Sequence, residues 1–426
     1  MPSLQANIHV VQKENITQHI TVPFSYSVPS LEEGSVLVRS ALVSLTANNL
    51  SYAHNGTVLK WWNAYPVSGS LPAPYNDSSQ YGIVPVWGYA QVLESKVDGL
   101  APGKILFGFW PSHDMPVILR LKAADDCPGH YIEITESRQS LMNLYNRYIL
   151  RPEVTPSSLS ASTPQTDSLA WQTIFLEAGR YISRYIFGSP PIHPLGLASL
   201  PWSAEDADIS QAVVVSLSAS GKTARVFQDA LVGERSDNDG PLGWVGVTAG
   251  DGKALIPKTT KFETKVVGYE QIATDDLMKW IEDLKPKRLI IIDFASRGLS
   301  LQSLTTALQA HRSHGQLPVT IIGVGNESKP HTPAALAAKM QSRAKMPNRM
   351  QMNMSGIRDR AIELFEAEKV FGEGESHWKG FLERGGLEGM NLEWGSGIAG
   401  KEGIEGGWKR LCEQAVPADV GMVFRV

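Results

Sequence analysis

Ser218-Ala219-Ser220-Gly221-Lys222-Thr223 places three hydroxyls, one glycine and one ammonium within six residues. The stretch follows an apolar β-branched run, Ala212 to Val215, and precedes a helix-compatible segment, RVFQDALV. A strand, a tight turn and a helix start in that order hold phosphate in α/β proteins, because the first helical N–H groups and the helix dipole point into the turn. Ser218, Ser220 and Thr223 offer hydroxyls to phosphate oxygens, Lys222 offers charge, and Gly221 leaves room for backbone approach. The run also contains Gly-Lys-Thr. A P-loop, however, needs a glycine five residues before Gly221, and this chain has Ser216 there. The competing account is a capped helix whose turn has lost its nucleotide.

Other candidates sit at the ends of further β-branched runs. Thr248-Ala249-Gly250-Asp251-Gly252-Lys253 closes the run GWVGVT. An acidic residue at such a tip grips the ribose hydroxyls of NAD. Here the tip is Thr248 and Ala249, and Lys253 and Lys258 stand ready for a 2′-phosphate. NADP(H) is therefore favoured over NAD(H) if a nicotinamide nucleotide binds; an ordinary solvated turn explains the same residues. Asp293 ends RLIIIDFA, and Asn326 follows PVTIIGVG, where Gly323 admits close backbone approach. Carboxyl ends of parallel strands form ligand crevices. The simpler account makes Asp293 a cap of its own turn and Gly323 a plain strand exit. Trp61, Trp62 and Tyr65 open the loop WWNAYPVSGSLPAPYNDSSQYG, where they either line a pocket for a flat substrate or bury one another. His113-Asp114 is a lone titratable pair on a loop and reads as surface. No Gly-x-Ser-x-Gly elbow and no His-Glu-x-x-His is present.

These residues need elements to hold them. Up to about residue 165 the chain reads as β-rich: SVLVRSALVSL and IVPVWGYAQVLES alternate as strands, ILFGFW follows a turn, and Gly/Pro punctuation suggests a small barrel. Asn48-Asn49 caps a short helix that Asn55-Gly56 ends. PEVTPSSLSASTPQTD reads as a boundary. Asp167 then caps a helix of about five turns closed by Gly188. Beyond it, strands at 212–217, 243–248, 288–295 and 318–325 alternate with helices at 223–232, 275–284 and 300–311, the pattern of a parallel sheet covered on both faces. Residues 330–370 read as mostly helical, GWKRLCEQ as a helix and VGMVFRV as a strand.

Composition sets outer limits. The 426 residues suit two or three domains, and 42% hydrophobic with 19% charged residues is globular. A net charge of −4 implies no nucleic-acid partner. No apolar run is long enough for a membrane helix, and no signal-peptide core opens the chain, so a cytoplasmic protein is expected. Cys127 and Cys412, the only cysteines, support neither a disulfide framework nor a Cys-rich zinc site.

The order of these parts resembles the medium-chain dehydrogenase/reductase superfamily. VLVRSALVSLTANNLSYAHNG is similar to its GroES-like segment, and VWGYAQVLESKVDGLAPGKILFGF to the second half of it. LSASGKTA stands where quinone-reductase-like members carry a glycine-rich turn, WVGVTAGDGKA resembles the second strand, and RLIIIDFASRG the fourth. VPVWGYAQVLES with SASGKTA is closer still to the DUF2855 family, divergent relatives of the zinc-independent branch. The likeness implies an α/β fold with two domains: a GroES-like β-barrel over 1–165, completed by 350–426, and a doubly wound Rossmann domain over 166–349. It also places Tyr52, with His54 and Asn48, at the catalytic position, where a phenol orients a carbonyl or donates a proton. A packed tyrosine in the barrel wall is the alternative. No zinc is expected, since no Cys, His or Glu ligand set surrounds position 48. Two glycines of the turn are exchanged, for Ser218 and Lys222.

The function expected on this basis is an NADPH-dependent, zinc-free oxidoreductase, an enone, carbonyl or quinone reductase. Its substrate would be a small to medium apolar molecule, as in secondary metabolism. The missing glycines favour instead a cofactor-independent isomerase, cyclase or lyase on the same scaffold, and a non-catalytic binding protein is a third reading. Partners are expected to be small molecules, with no nucleic acid and no membrane; a homodimer is open to it.

Overall fold

The computed structural model describes residues 4–236, 238–250, 252, 255–257, 261–295, 297–311 and 315–426. The chain divides into two compact units. One comprises Met1–Ile174, Ser328–Ala338 and Met390–Val426, and the other Phe175–Glu327 and Lys339–Gly389.

The first unit contains a closed antiparallel barrel. Strand Ser35–Leu45 pairs with Val86–Ser95, which pairs in turn with Ile105–Trp110. Arg147–Leu150, His130–Glu133 and Val117–Ala123 continue the sheet, and the last returns to Ser35–Val38. Closure demands bent strands, and the register of Ser35–Leu45 slips between Leu37 and Val38 and again between Ser40 and Leu42. At that bend Gly88 lies so near the Leu42 carbonyl that a Cβ would come within 2.2 Å of its oxygen. The edge of Ser35–Leu45 that Val117–Ala123 leaves free, at Leu42–Leu45, takes Val420–Arg425, and Asn391–Ser396 pairs parallel to that strand. A separate hairpin joins Leu4–Gln12 to His19–Tyr26.

The second unit is a six-stranded parallel sheet. Its order is Glu263–Gly268, Gly243–Thr248, Ala212–Leu217, Arg288–Asp293, Val319–Gly323 and Arg349–Gln351, that is, 3-2-1-4-5-6 by appearance. The order of strands reverses between Ala212–Leu217 and Arg288–Asp293, the switch point at which doubly wound folds bind ligands. Burial alternates with period two. Val214, Ile290 and Ile292 pack under Phe227, Leu231, Ile357 and Ala361, whereas Val213, Val215 and Ile291 face Leu277, Ile281, Leu301 and Leu304. Both faces are covered, so the strands read as continuous apolar runs.

The fold class expected from the sequence is the one observed, but two details differ. The long helix opens at Pro164, not after Asp167: Thr163 is the cap, its Oγ1 accepting from the Thr166 amide at 3.2 Å. It stops at Ile174, and a new helix, Ala178–Tyr181, runs into a π-helical turn, Ile182–Ile186. The interruption falls where the chain leaves one unit for the other. Residues 350–389 belong with the parallel sheet, because Ile357, Ala361 and Val370 fill its core; the part that completes the barrel unit begins at Met390.

Candidate functional site

In the second unit the strand ends at Leu217 and four residues turn the chain into helix Lys222–Gly233. Ser216 lies inside the strand, fully buried, where its hydroxyl accepts from Trp244 Nε1 at 3.0 Å. The turn is thus too short for a P-loop despite Gly-Lys-Thr. Ser218 adopts φ 64°, the left-handed conformation that a glycine takes freely and that costs other residues about 1–2 kcal/mol. The Ala219 amide bonds the Val247 carbonyl at 2.9 Å, tying the turn to the neighbouring strand. Among the described residues no side chain caps the helix that follows, whose N-cap is Gly221. Its first amides and the positive end of its dipole therefore face the crevice beside half-buried Ser220, Gly221, Lys222 and Thr223.

Ser218 does more than shape the turn. Its hydroxyl donates to the Ala295 carbonyl at 2.6 Å, so the contact with Tyr269 at 2.6 Å has the phenol as donor. Tyr269 follows the third strand, and Arg297 lies over its ring at 5.7 Å. Burial raises the Tyr269 phenol above its ordinary value, against the bond to Ser218. Beside them a cavity of about 590 Å³ opens at the carboxyl ends of three strands, lined by Ala249, Tyr269, Ile272, Arg297 and Leu299. A flat ring fits between such walls, and the guanidinium supplies a fork for phosphate. Tyr269 and Arg297 escaped the sequence reading, although Arg297 stands within RLIIIDFASRG, a stretch that it singled out. Thr248 is buried at the tip of the second strand. Lys253, with Asp251 and Lys258, lies outside the described residues.

Asp293, Gly323 and Asn326 do come together. Gly323 pairs with Asp293 across adjacent strands, and Arg343 joins the other two: it bonds the Asn326 side-chain oxygen at 2.5 Å and lies 3.4 Å from the Asp293 carboxylate, which is fully buried. A Cβ on Gly323 would meet the Arg349 guanidinium. Burial, then the neighbouring Arg343, lowers the Arg349 pKa.

In the first unit Thr46 caps helix Ala47–Asn55 through a reciprocal box with Asn49, so the cap lies two residues before Asn48, where the sequence suggests it. Asn48 and Tyr52 stand one helical turn apart, and the exposed Asn48 donates its amide to the Tyr52 oxygen at 2.7 Å. Trp87 Nε1 donates to the same oxygen at 2.8 Å. Tyr52 itself is 2% exposed, with its ring against Trp61, Phe109 and Tyr145 at 4.7, 5.1 and 5.9 Å between centroids. Burial pushes its phenol well up, opposed by the bonds from Trp87, Tyr145 and Asn48. Two donors feeding its lone pairs polarise a hydroxyl that stays neutral. His54 Nε2 lies 3.2 Å from the His331 amide and 3.4 Å from the Lys329 carbonyl, and burial lowers its pKa against the bond to that carbonyl.

The three aromatic candidates part company. Trp61 packs on Tyr52. Trp62 lies against Gly56 and Gly82, where a Cβ would come within 2.4 and 2.3 Å of the indole. Tyr65 donates to the Phe109 carbonyl at 2.7 Å and stacks under Arg138. His113 is a correction: it is 2% exposed, because a bridge between it and Ile8 of the hairpin and a bond from the Asn7 amide to Asp114 cover its loop.

A family model described as "Protein of unknown function (DUF2855)" matches residues 43–417. No curated protein matches the sequence. Solved structures do. CurA from Vibrio vulnificus in complex with NADPH is similar at a TM-score of 0.51 and 12% identity over 99% of both chains. The mitochondrial 2-enoyl thioester reductase Etr1p/Etr2p heterodimer from Candida tropicalis gives 0.53 and 10% identity, over 99% of this chain and 100% of that one. The Etr1p/NADP/crotonyl-CoA complex gives 0.51 and 10%, over 99% and 100%. At such identity the likeness is one of fold.

Proposed function

The chain belongs to the DUF2855 family, a divergent branch of the medium-chain dehydrogenase/reductase fold, and we propose that it is an NADPH-dependent oxidoreductase reducing an activated alkene or carbonyl. The observation that carries the reading is the uncapped start of helix Lys222–Gly233, with the Tyr269–Arg297 cavity at the neighbouring strand ends. In this reading the first helical amides, Ser220, Lys222 and Thr223 hold the pyrophosphate, while Tyr269 and Arg297 hold the adenosine and its 2′-phosphate. Asp293, Gly323 and Asn326 serve the nicotinamide end. Bound NADPH would supply the hydride. Asn48 and Tyr52 orient the oxygen of a small to medium apolar substrate, Asn48 being the member of the pair that solvent reaches. The names of the solved relatives, which mention NADPH, NADP and crotonyl-CoA, support this choice of cofactor and an enoyl-type substrate. The zinc-free mechanism rests on the sequence around Asn48.

A second reading has its own observation. Arg343 occupies the crevice at Asp293 and Asn326, and Ser218 replaces a glycine, which favours a cofactor-independent isomerase, cyclase or lyase. Titration with NADPH and NADP+ separates the two. A nucleotide at 100 times its Kd stabilises by about 2.7 kcal/mol, roughly 5–10 °C in melting temperature. Lys222→Ala should abolish the shift. The absence of any shift with either nucleotide in the unsubstituted protein would refute the reductase.

A further inference from the structure

Charge is unevenly spread along this chain. Between Glu327 and Asp359 it carries Lys329, Lys339, Arg343, Lys345, Arg349 and Arg358 and no acidic residue, in a protein whose net charge is −4. A basic run is ordinarily a solvated face, as exposed Lys345 is. Arg343 and Arg349 behave differently. Both belong to the second unit and reach the carboxyl ends of strands Arg288–Asp293 and Val319–Gly323. The Arg343 side chain is 13% exposed, and Arg349 is half-buried. Taking guanidiniums out of water costs free energy unless opposite charge and hydrogen bonds offset it.

The crevice offsets only part of that cost. Against the two guanidiniums stands the Asp293 carboxylate, 3.4 Å from Arg343. Glu327 is matched by Lys339 at 3.9 Å. Among these residues one positive charge is left over. Burial first, and Arg343 second, lower the Arg349 pKa while Asp293 raises it, as expected of two like charges held close beside one opposite charge. Donors are left over as well. Arg343 Nη1 bonds the Asn326 side chain and the Gly325 carbonyl, and its Nη2 faces Asp293. Arg349 Nη2 donates to Gln351 Oε1 at 3.1 Å. A guanidinium carries more N–H groups than these bonds use. Arg349 Nε is buried, so its terminal nitrogens are the ones a ligand can meet. Gly323 sets their place: a Cβ there would come within 2.0 Å of Arg349 Nη2 and 3.0 Å of Gln351 Oε1.

We propose that Arg343 and Arg349 hold a carboxylate, and that the substrate of this site is a monocarboxylic acid with a small to medium apolar body. The proposal rests on reading the strand-end crevice as the reaction site. A single negative charge matches the surplus, whereas a phosphate dianion exceeds it, and the planar fork of guanidinium donors fits the two carboxylate oxygens. Cinnamate and cinnamamide, alike in shape and different in charge, test it by calorimetry on the full chain without nucleotide. Cinnamate should bind about tenfold tighter, the worth of one charge-assisted contact. Arg349→Gln should remove the preference, with cinnamamide affinity unchanged as the sign of an intact crevice. Gly323→Ala keeps both arginines but displaces the Arg349 guanidinium, and should reduce the preference likewise. Lys345→Gln removes an exposed charge of the same run and should leave it as it was. Inorganic phosphate should displace cinnamate only at far higher concentration. Failure of cinnamate to bind, equal affinity for the two probes, a preference that survives both Arg349→Gln and Gly323→Ala, one lost in Lys345→Gln, or displacement by phosphate at equal concentration would each overturn the proposal. The two readings fail separately: an acid preference in a protein that binds no nucleotide would refute the reductase alone, and nucleotide binding without that preference would refute the carboxylate site alone.

Discussion

Replacing Ser218 separates two effects that oppose each other in the turn. Ser218→Ala removes both hydroxyl bonds, each 2.6 Å long, and leaves the Tyr269 phenol and the Ala295 carbonyl without that partner. Each bond contributes about 1 kcal/mol, less where water can substitute, and both Ser218 and Tyr269 are half-buried. The expected loss is about 1–2 kcal/mol. Ser218→Gly loses the same bonds but removes the left-handed strain at φ 64°, which returns about 1 kcal/mol. The glycine variant should therefore be more stable than the alanine variant by about 1 kcal/mol and lie close to the parent. In a unit of about 200 residues that gap is roughly 2–4 °C. Scanning calorimetry of the three proteins reads it directly. A cycle with Tyr269→Phe isolates the phenol–hydroxyl bond, with an expected coupling of about 1 kcal/mol. Equal melting temperatures for the alanine and glycine variants would refute the strain argument, and additive effects of Ser218→Ala and Tyr269→Phe would refute the bridge.

Arg297→Ala should weaken NADPH by about tenfold and leave NADH unchanged in fluorescence titration, since only the former carries a 2′-phosphate. Gly179→Ala would set a Cβ 2.2 Å from the Thr223 carbonyl and 2.6 Å from the Phe227 amide, both backbone atoms; a loss of about 2–3 kcal/mol in urea unfolding is expected. Burial lowers His9 to about 3 and His113 to about 4 from 6.5. The folded state favours neutral rings, so their contribution is complete above pH 6.5 and is lost as pH falls towards 4, by about 1.4 kcal/mol per pH unit for each histidine. Urea unfolding at pH 7 and pH 5 should show that slope, reduced in His113→Phe. For Tyr52, whose pKa is raised, the sign reverses: stability holds below the ordinary phenol value near 10 and falls as pH rises above it, and Tyr52→Phe should flatten the alkaline limb of the same measurement.

The parallel sheet was legible because its strands are buried on both faces and so run apolar without interruption, while the helices between them keep a 3.6-residue rhythm. Strand Gly243–Thr248 could be bounded to the residue. What escaped was whatever depends on strands adjacent in space but distant in sequence. Tyr269 reaches Ser218 across 51 residues, and Arg343 reaches Asp293 across 50. No local spacing announces either. His113 was misread for a related reason: a polar dipeptide after Pro111 resembles surface until Ile8 bridges to it. The break after Ile174 left no mark because Phe175-Leu176-Glu177 is as helix-compatible as its neighbours.

Strand Ser35–Leu45 shares one edge between Val117–Ala123 and Val420–Arg425, and this governs the order in which the molecule can be built. During synthesis the Leu42–Leu45 edge remains unpaired until residues near 420 emerge, long after the six strands of the barrel have been made. The parallel sheet lies between those two events and can be completed while the barrel unit still waits. An unpaired apolar edge exposed for that interval is a template for association with other chains. Late pairing across so long a separation is also intrinsically slow. The quality of a recombinant preparation should accordingly depend more on translation rate and temperature than on the stability of the finished fold.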